Sequence, residues 1–350
     1  MKKYYCIELL RFFTSLAVVI RHYHFFFYPR SSLSTIQILK DTSIQPFYPL
    51  LQILYEKGDY AVPIFWGISG FVFALVYLNQ KESVTGKKFF INRFARLYPL
   101  HFATLIIVAL LQFINSNVFG SFQIVFVNDL YRFILHLLFV SGWEHQLLIG
   151  GWQGDSFNLP VWSVSVEILI YALFFFSIFL IKKYEIKYTI AAYIVALLVD
   201  KLLFSSLFID CFKLFFSGII VYYINIKTKR KIFLFILSIA LISISFIGNF
   251  KIFVFTPGLL LFFIYLETFS IAKYKAIFEF FGSLTYAMYL LHIPTMLSLI
   301  LIFHFFNISD QIFLSNYFFI LYLILVIFLS HNCFRFFEKP LNYKIRSKFN

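Results

Sequence analysis

Long apolar runs, separated by short clusters of lysine and arginine, fill almost all of this 350-residue chain. A helix needs about 20 mostly apolar residues to cross the hydrocarbon core of a bilayer. Ten segments approach or exceed that length, at about 5–27, 60–79, 98–115, 160–181, 188–206, 209–226, 232–247, 251–269, 281–305 and 314–336. The pattern predicts an all-α polytopic membrane protein with about ten transmembrane helices.

Charge content excludes the ordinary soluble classes. Only 13% of the residues are charged, about half the share of a soluble globular domain. Thirty Lys and Arg stand against sixteen Asp and Glu. In a nucleic-acid binder such an excess forms a basic stripe on a polar surface, whereas here it lies between apolar runs. We therefore expect membrane lipid as a partner and no nucleic acid.

The basic clusters also predict sidedness. With ten spans and an inner N-terminus, the cytoplasmic pieces hold 21 of the 30 basic residues, in agreement with the positive-inside rule. An eleventh apolar stretch, 129–141, is short and interrupted by Asp129, Arg132 and His136. Counting it as a span would place every later basic cluster outside the cell, against the positive-inside rule. It is therefore interpreted as amphipathic or re-entrant. Both termini are predicted to be cytoplasmic.

Ionisable residues inside a span are costly and indicate function. Arg11 and His22 both lie in the first apolar segment, eleven positions apart. Eleven helical steps place them within about 20° of one face and about 16 Å apart along the axis. One helix face thus carries a cation near the inner side and an imidazole near the outer side. The alternative is that both side chains snorkel to the headgroups.

Four further segments carry polar residues at helical spacing. Ser163 and Glu167 lie one turn apart on the fourth predicted span, and an ion-paired structural role for Glu167 stays open. Arg93 and Arg96, one turn apart, can grip phosphates or act as inner anchors. The small residues of segment 67–70 are typical of close helix packing. A hydrogen-bonded packing seam is predicted for Tyr286, Tyr289 and His292.

The three cysteines, Cys6, Cys211 and Cys333, are far apart within apolar stretches. They have neither a disulfide framework nor metal-ligand spacing. No metal is expected.

Taken in order, these segments resemble the acyltransferase-3 family of integral-membrane O-acyltransferases. The family motifs are met, in chain order, by Arg11 and His22; Ser69 to Phe71; Arg93, Arg96, Tyr98 and Pro99; Trp162, Ser163, Val164 and Glu167; Tyr289, Leu290 and His292; and Glu338, Lys339 and Pro340. The resemblance covers essentially the whole chain and implies one acyltransferase domain, 1–350, with no appended soluble domain.

The resemblance implies transfer of an acetyl group from cytoplasmic acetyl-CoA to a hydroxyl of a surface polysaccharide such as O-antigen (lipopolysaccharide), capsule or exopolysaccharide. The expected location is the bacterial inner membrane. The catalytic residues would be His22, as general base or acyl carrier, Arg11, Glu167 and Ser163. The donor-binding residues would be Arg93, Arg96, Ser69 and Tyr98.

Two features leave alternatives open. Some relatives carry a C-terminal hydrolase-like domain, so either the membrane domain works alone or a separate periplasmic protein handles the acyl group or acceptor. A transporter or flippase of lipid-linked sugars is the rival class, because such proteins are also basic and polytopic. The sequence features expected of such a transporter are two similar halves or charged pairs spread over many helices. This sequence has neither.

The ten-span topology predicts that a tag at position 229 is cytoplasmic and a tag at position 155 is external. Compartment-specific labelling of tagged cells checks this. If both tags report one compartment, the non-spanning interpretation of 129–141 is wrong.

Overall fold

The computed structural model describes residues 3–27, 42–80, 84–125, 127–143, 156–247, 251–269 and 272–349. Position 155, which the topology predicts to be external, lies outside these ranges.

The described residues are built from helices and contain no strand. The α-helices are α1 (Tyr5–His22), α2 (Tyr48–Lys57), α3 (Ala61–Phe73), α4 (Gly86–Phe119), α5 (Leu130–Leu137), α6 (Val161–Leu202), α7 (Leu207–Lys227), α8 (Lys231–Ser245), α9 (Lys251–Leu266), α10 (Lys275–Phe305), α11 (Asn316–Cys333) and α12 (Lys339–Phe349). Five-residue π-helical turns follow α3 and α11.

By length and composition, six helical stretches can cross a membrane: Tyr48–Leu78, Gly86–Phe119, Val161–Leu202, Leu207–Lys227, Lys275–Phe305 and Asn316–Phe349. The prediction of an all-α polytopic membrane protein is confirmed. Helices α8 and α9 are apolar but shorter, while α1 carries Glu8, Arg11 and Arg21. All ten predicted segments overlap helices, and the number of spans remains a prediction.

The predicted spans 160–181 and 188–206 both lie on α6, which consists of two helices joined at a kink. The intervening sequence contains neither glycine nor proline, and the helix is interrupted only at Glu185, whose backbone has φ of 50°. The stretch 129–141 forms the eight-residue helix α5. Eight residues rise about 12 Å, too little to cross a bilayer, which agrees with the non-spanning interpretation.

The chain divides into two compact units. The first unit comprises Met1–Thr14, Tyr60–Phe89 and Val166–Ser283. Within it, α3 packs along α7, and α8 pairs with α9. The Lys213 ammonium, 1% exposed, bonds Asp200 and Asp210 at 2.8 Å each. This ion-pair cluster neutralises the buried cation in an otherwise apolar unit.

Small residues bring α3 and α7 into backbone contact. A Cβ on Gly70 would strike the Phe215 carbonyl, and a Cβ on Gly218 would strike the Gly67 carbonyl. Any side chain larger than hydrogen would therefore force the two helices apart. The packing role predicted for segment 67–70 is confirmed for both of its glycines.

The second unit comprises Ser15–Asp59, Phe90–Ser165 and Leu284–Asn350. In it the second half of α1 runs beside α10. Ser15 Oγ donates to the Thr285 carbonyl at 3.0 Å, and the rings of His22 and His292 meet seven residues further along both helices. Equal seven-residue steps, about two turns each, show that the helices run in the same direction.

Replacing Gly70 with alanine is expected to lower the free energy of unfolding by about 1–3 kcal/mol or more, as for overpacked cores, because the new methyl group meets backbone. Thermal unfolding of the purified protein measures the loss. Gly86→Ala is the control, since its Cβ would meet only the Phe175 ring edge, at 3.3 Å. Equal melting temperatures for both variants would contradict the close α3–α7 contact.

Candidate active site

One face of α10 gathers the predicted site residues of the second unit. Tyr286, Tyr289 and His292 are spaced three residues apart, so they form a ladder about 9 Å long. Tyr286 donates to the Leu97 carbonyl at 2.7 Å, Tyr289 meets Ser163, and His292 meets His22. The predicted hydrogen-bonded seam is confirmed. It connects residues that lie far apart in sequence.

His22 and His292 form a direct imidazole pair. His22 Nδ1 lies 2.9 Å from His292 Nε2, and His292 Nδ1 lies 3.1 Å from the Met288 carbonyl. A carbonyl only accepts hydrogen bonds, so in neutral His292 the proton is on Nδ1 and Nε2 is the acceptor. His22 must then donate from its own Nδ1. Its Nε2 consequently keeps the basic lone pair.

The surroundings of His292 hold this geometry. The imidazole is fully buried, and the Tyr322 hydroxyl donates to the His292 carbonyl at 3.4 Å. Pro294 has no backbone N–H, so the Leu290 carbonyl lacks its usual helical donor. The buried Asn158 side chain supplies that donor at 3.0 Å. The residues before α6 thereby anchor α10 close to the histidine pair.

Ser163 lies in the first turn of α6, directly after Pro160. Its hydroxyl donates to the Pro160 carbonyl at 3.0 Å and lies 2.7 Å from the Tyr289 hydroxyl. Tyr289 also reaches the Pro160 carbonyl at 3.1 Å. This three-way contact joins the start of α6 to α10, an arrangement that suits a positioning role for Ser163.

At the other end of the ladder, Arg96 forms an ion pair with Glu338. Glu338 lies in the π-helical turn Phe334–Glu338 and is 3% exposed, whereas the Arg96 side chain is 25% exposed. The guanidinium also lies over the Tyr286 ring, 5.8 Å from its centroid. The pair links two of the sequence motifs, and sequence reasoning gave Arg96 no such partner.

Arg93 and Tyr98 lie on α4 on either side of Arg96. Arg93 is partly buried one turn before Arg96. The Tyr98 hydroxyl donates to the Leu137 carbonyl at 3.0 Å, which ties α4 to the end of α5. Three of the four predicted donor-binding residues therefore lie on a single helix, within two turns.

The other three predicted site residues lie in the first unit. The Arg11 guanidinium bonds the Glu8 carboxylate of its own helix at 2.9 Å. Glu8 packs so closely against Gly282 that a Cβ there would strike the carboxylate. Glu167 is 7% exposed on α6, and Ser69 is partly buried beside the tightly packed Gly70.

A second pair of histidines, His101 and His136, lies buried in the second unit. His101 Nε2 donates to the His136 carbonyl at 2.7 Å, and His136 Nε2 lies 3.0 Å from Ser156 Oγ. Burial and the neighbouring His101 lower the pKa of His136 to about 3. His136 is thus neutral at pH 7, and its contribution to stability decreases as the pH falls from about 6.5 towards 3.

Sequence reasoning missed several partners that the fold supplies. His292 was assigned to a packing seam and to a family motif, and Glu338 to a family motif, both without a partner. Glu8 and the pair His101–His136 received no role. The signal available in the sequence was the presence of polar residues within apolar segments. No group of three or more metal-ligating side chains occurs within the described ranges.

Comparison with known proteins assigns the chain to a family. A family model described as acyltransferase domain, of the acyltransferase-3 type, matches residues 4–331, nearly the whole chain. The chain belongs to the acyltransferase-3 family. The resemblance to this family and the expected enzyme class, an acyltransferase, are confirmed at the level of the family.

A curated relative agrees with this assignment over part of its length. The chain is 34% identical over 134 residues to the acyltransferase MdmB of Streptomyces mycarofaciens. The alignment covers 37% of this chain and 31% of that relative. No solved structure matches the chain.

His292→Leu is expected to lower kcat of this acyltransferase by about 10²-fold or more, the scale of general-base catalysis, because His22 loses the acceptor that orients its ring. The KM for the acyl donor should stay within about twofold, because His292 is not among the predicted donor-binding residues. His292→Gln should recover part of kcat, because its amide oxygen can accept from His22 Nδ1. Steady-state kinetics check both values, and equal kcat for the two variants would contradict the orienting role.

Proposed function

We propose that this protein transfers an acetyl group from cytoplasmic acetyl-CoA to a hydroxyl of a bacterial surface polysaccharide, such as O-antigen (lipopolysaccharide), capsule or exopolysaccharide. The acceptor is the polysaccharide itself or its lipid-linked precursor. The site of action is the bacterial inner membrane, and residues 1–350 act as one acyltransferase domain. A separate periplasmic acyl-handling protein is the further partner in this scheme.

The observation that carries the proposal is the protonation pattern of the histidine pair. Because His292 Nε2 accepts from His22 Nδ1, the lone pair of His22 Nε2 is available. None of the described residues hydrogen-bonds to that nitrogen. An imidazole with one nitrogen anchored and the other free is the arrangement that general bases and nucleophilic histidines require.

In the general-base route, His22 Nε2 takes the proton of the acceptor hydroxyl as its oxygen attacks the thioester carbonyl carbon. The C–O bond forms, the C–S bond breaks, and the CoA thiolate leaves and takes up a proton. The bond from His22 Nδ1 to His292 stabilises the imidazolium that forms. In the carrier route, Nε2 itself attacks the thioester carbonyl carbon, the C–S bond breaks and CoA leaves as the thiolate. The acceptor hydroxyl then attacks the acyl group, the C–N bond to Nε2 breaks, and the hydroxyl proton is released and matches the one that the thiolate takes up.

The donor would be held by the residues of α4. Arg93 and Arg96, one turn apart, suit the phosphates of CoA because a guanidinium binds phosphate with two parallel donors. Glu338 engages Arg96 through Nη1, and the quarter of the side chain that is exposed remains accessible to a phosphate. Tyr98 and Ser69 complete the proposed donor set.

The remaining predicted site residues have supporting roles in this proposal. Arg11 would stabilise negative charge that develops on the thioester carbonyl, with Glu8 fixing its guanidinium. Glu167 keeps the catalytic role that the family motif implies, and Ser163 would position the start of α6 through Tyr289. The rival function, transport of lipid-linked sugars or acyl groups without transfer, needs none of the proton chemistry at His22.

His22→Ala is expected to abolish acylation of surface glycan, because the only nitrogen proposed to accept the hydroxyl proton or the acyl group is removed. Cells carrying each variant are fed labelled acetate, and acetylated glycan is quantified beside membrane-inserted protein. His24→Ala is the matched control, since that ring bonds only the Arg21 carbonyl among the described residues and should keep activity. Near-normal acetylation by His22→Ala would refute the proposed role of His22 and favour the alternative that its side chain snorkels to the headgroups.

Arg96→Lys and Arg93→Lys are expected to weaken acetyl-CoA binding, by about tenfold if one charge-assisted bond is lost. Lysine keeps the inner positive charge but has no bidentate fork, so membrane insertion should persist. Titration of acetyl-CoA into the purified variants measures the dissociation constant. Unchanged values in both variants would leave these arginines as anchors and structural partners.

A further inference from the structure

Arg21, the residue directly before His22, joins the end of α1 to the end of α2. Its Nε lies 3.1 Å from each oxygen of the Asp59 carboxylate, and its Nη2 lies 3.1 Å from Oδ2 of the same group. The third nitrogen, Nη1, donates to the Tyr55 carbonyl at 2.7 Å. All three guanidinium nitrogens are therefore bonded to one short segment, 55–59, within the second unit.

The same segment approaches the backbone of α1 at Gly58. A Cβ at this position would lie 2.5 Å from Arg21 Cβ and 2.9 Å from the Ala17 carbonyl oxygen. Any side chain larger than hydrogen would therefore separate α2 from α1. Because Ala17 and Arg21 are one turn apart on one helix face, the end of α2 packs on the last two turns of α1.

This contact lies on a different side of α1 from the contact with α10. Ser15 and His22 share the side that meets α10, because seven residues make about two turns. Ala17 and Arg21 lie about 130° around the helix axis from that side, at about 100° per residue. Contacts on two sides restrict sideways movement of the end of α1, and they set the place of His22.

The α2 segment is itself held in place by α11. Phe47, directly before α2, donates its backbone N–H to the side-chain oxygen of Asn316 at 3.0 Å. Tyr55 is buried, and its ring centroid lies 6.4 Å from that of Phe319. Arg21 is thus bonded to a segment with its own contacts to a neighbouring helix.

The geometry of the Arg21–Asp59 pair differs from that of an ordinary surface ion pair. A single contact between two exposed side chains contributes little to stability, because both side chains lose conformational freedom. A forked guanidinium–carboxylate contact is stronger and has a defined orientation. Here Asp59 is exposed but Arg21 is partly buried, and the bond to a backbone carbonyl adds a second direction.

We propose that Arg21 is a positioning residue for His22. The inference rests on the proposed function for the role of His22, and it adds the contact that keeps the His22 ring within hydrogen-bond distance of His292. The two residues Arg21 and His22 are consecutive, so a movement of the end of α1 relative to α2 also moves the imidazole. Arg21 contacts neither substrate in this scheme and acts only through His22.

The test compares variants of the purified full chain in nanodiscs. Arg21→Met removes the guanidinium contacts but keeps a long side chain, and Asp59→Asn weakens the pair from its exposed partner without altering α1. Lys57→Met is the matched control, because it removes an exposed cation from the last turn of α2. Gel filtration checks folding, and activity is expressed per folded protein. If Arg21→Met does not fold, Asp59→Asn carries the comparison.

Two readouts separate positioning from general stability. The first is nitrogen-15 NMR of histidine-labelled protein, in which both pair variants are expected to change the ring-nitrogen shifts of His22. The second is steady-state kinetics. The kcat of Arg21→Met should fall by about tenfold to 10²-fold, the scale of a misplaced reacting group, with a smaller fall in Asp59→Asn. The KM for the acyl donor should stay within about twofold, because neither residue is among the predicted donor-binding residues.

Lys57→Met is expected to match the wild type in both readouts. Wild-type His22 shifts in the pair variants, equal losses of kcat in these variants and in Lys57→Met, or a change in KM alone would overturn the positioning role. The NMR readout requires no turnover. Absence of glycan acetylation by the wild type in cells would refute the proposed function, whereas the His22 shifts would still report whether Arg21 positions the ring.

Discussion

The hydrogen bond from His22 Nδ1 to His292 Nε2 is the interaction on which the proposed chemistry depends. A lone histidine on an apolar helix can adopt either tautomer and can turn towards water. Here the direction of donation is determined by a backbone carbonyl, that of Met288, which can only accept. The Met288 carbonyl contacts His292, and His292 contacts His22. This main-chain group thus determines which nitrogen of His22 is basic. This is the second-layer control of imidazole protonation that many catalytic histidines use.

The pair can form only because the helices that carry it are held in register. Ser15 joins α1 to α10 two turns before His22, and Asn158 fills the hydrogen-bond gap that Pro294 opens on α10. Inside an apolar unit such polar contacts are directional, whereas the surrounding phenylalanines pack without fixing one orientation. The ion pair between Arg96 and Glu338 lies at the Tyr286 end of the same ladder. The site is therefore a short polar seam inside an apolar helix bundle.

Much of this arrangement was accessible from the sequence. The length and spacing of the apolar runs predicted an all-helical membrane protein, and the charges in 129–141 predicted that this stretch does not cross the membrane. Arg11, His22 and Ser163 stood out because polar groups in apolar helices are costly. What sequence could not give was their partners, since His292 lies 270 positions from His22. Helical periodicity describes one face of one helix and carries no information on which helices are neighbours.

The boundary between two of the predicted spans was accessible from the sequence as well. Hydropathy separates 160–181 from 188–206, and α6 is kinked between these two segments, at Glu185. The residue at which the backbone breaks depends on local dihedral angles, which a windowed average of apolar character does not contain. The glycines of α3 were recognisable as a packing motif because their spacing is visible within one short segment. The sequence did not indicate that α7 is the helix they contact.

The most direct measurement is the tautomer of His22 itself. Nitrogen-15 NMR of histidine-labelled protein in nanodiscs, with the His22 signals assigned by their loss in His22→Gln, distinguishes a protonated ring nitrogen from an unprotonated one. The account predicts a neutral His22 with the proton on Nδ1 and an unprotonated Nε2, and it predicts that His292→Leu disturbs this pattern. A proton on Nε2 in the wild-type protein, or signals that do not respond to His292→Leu, would contradict it.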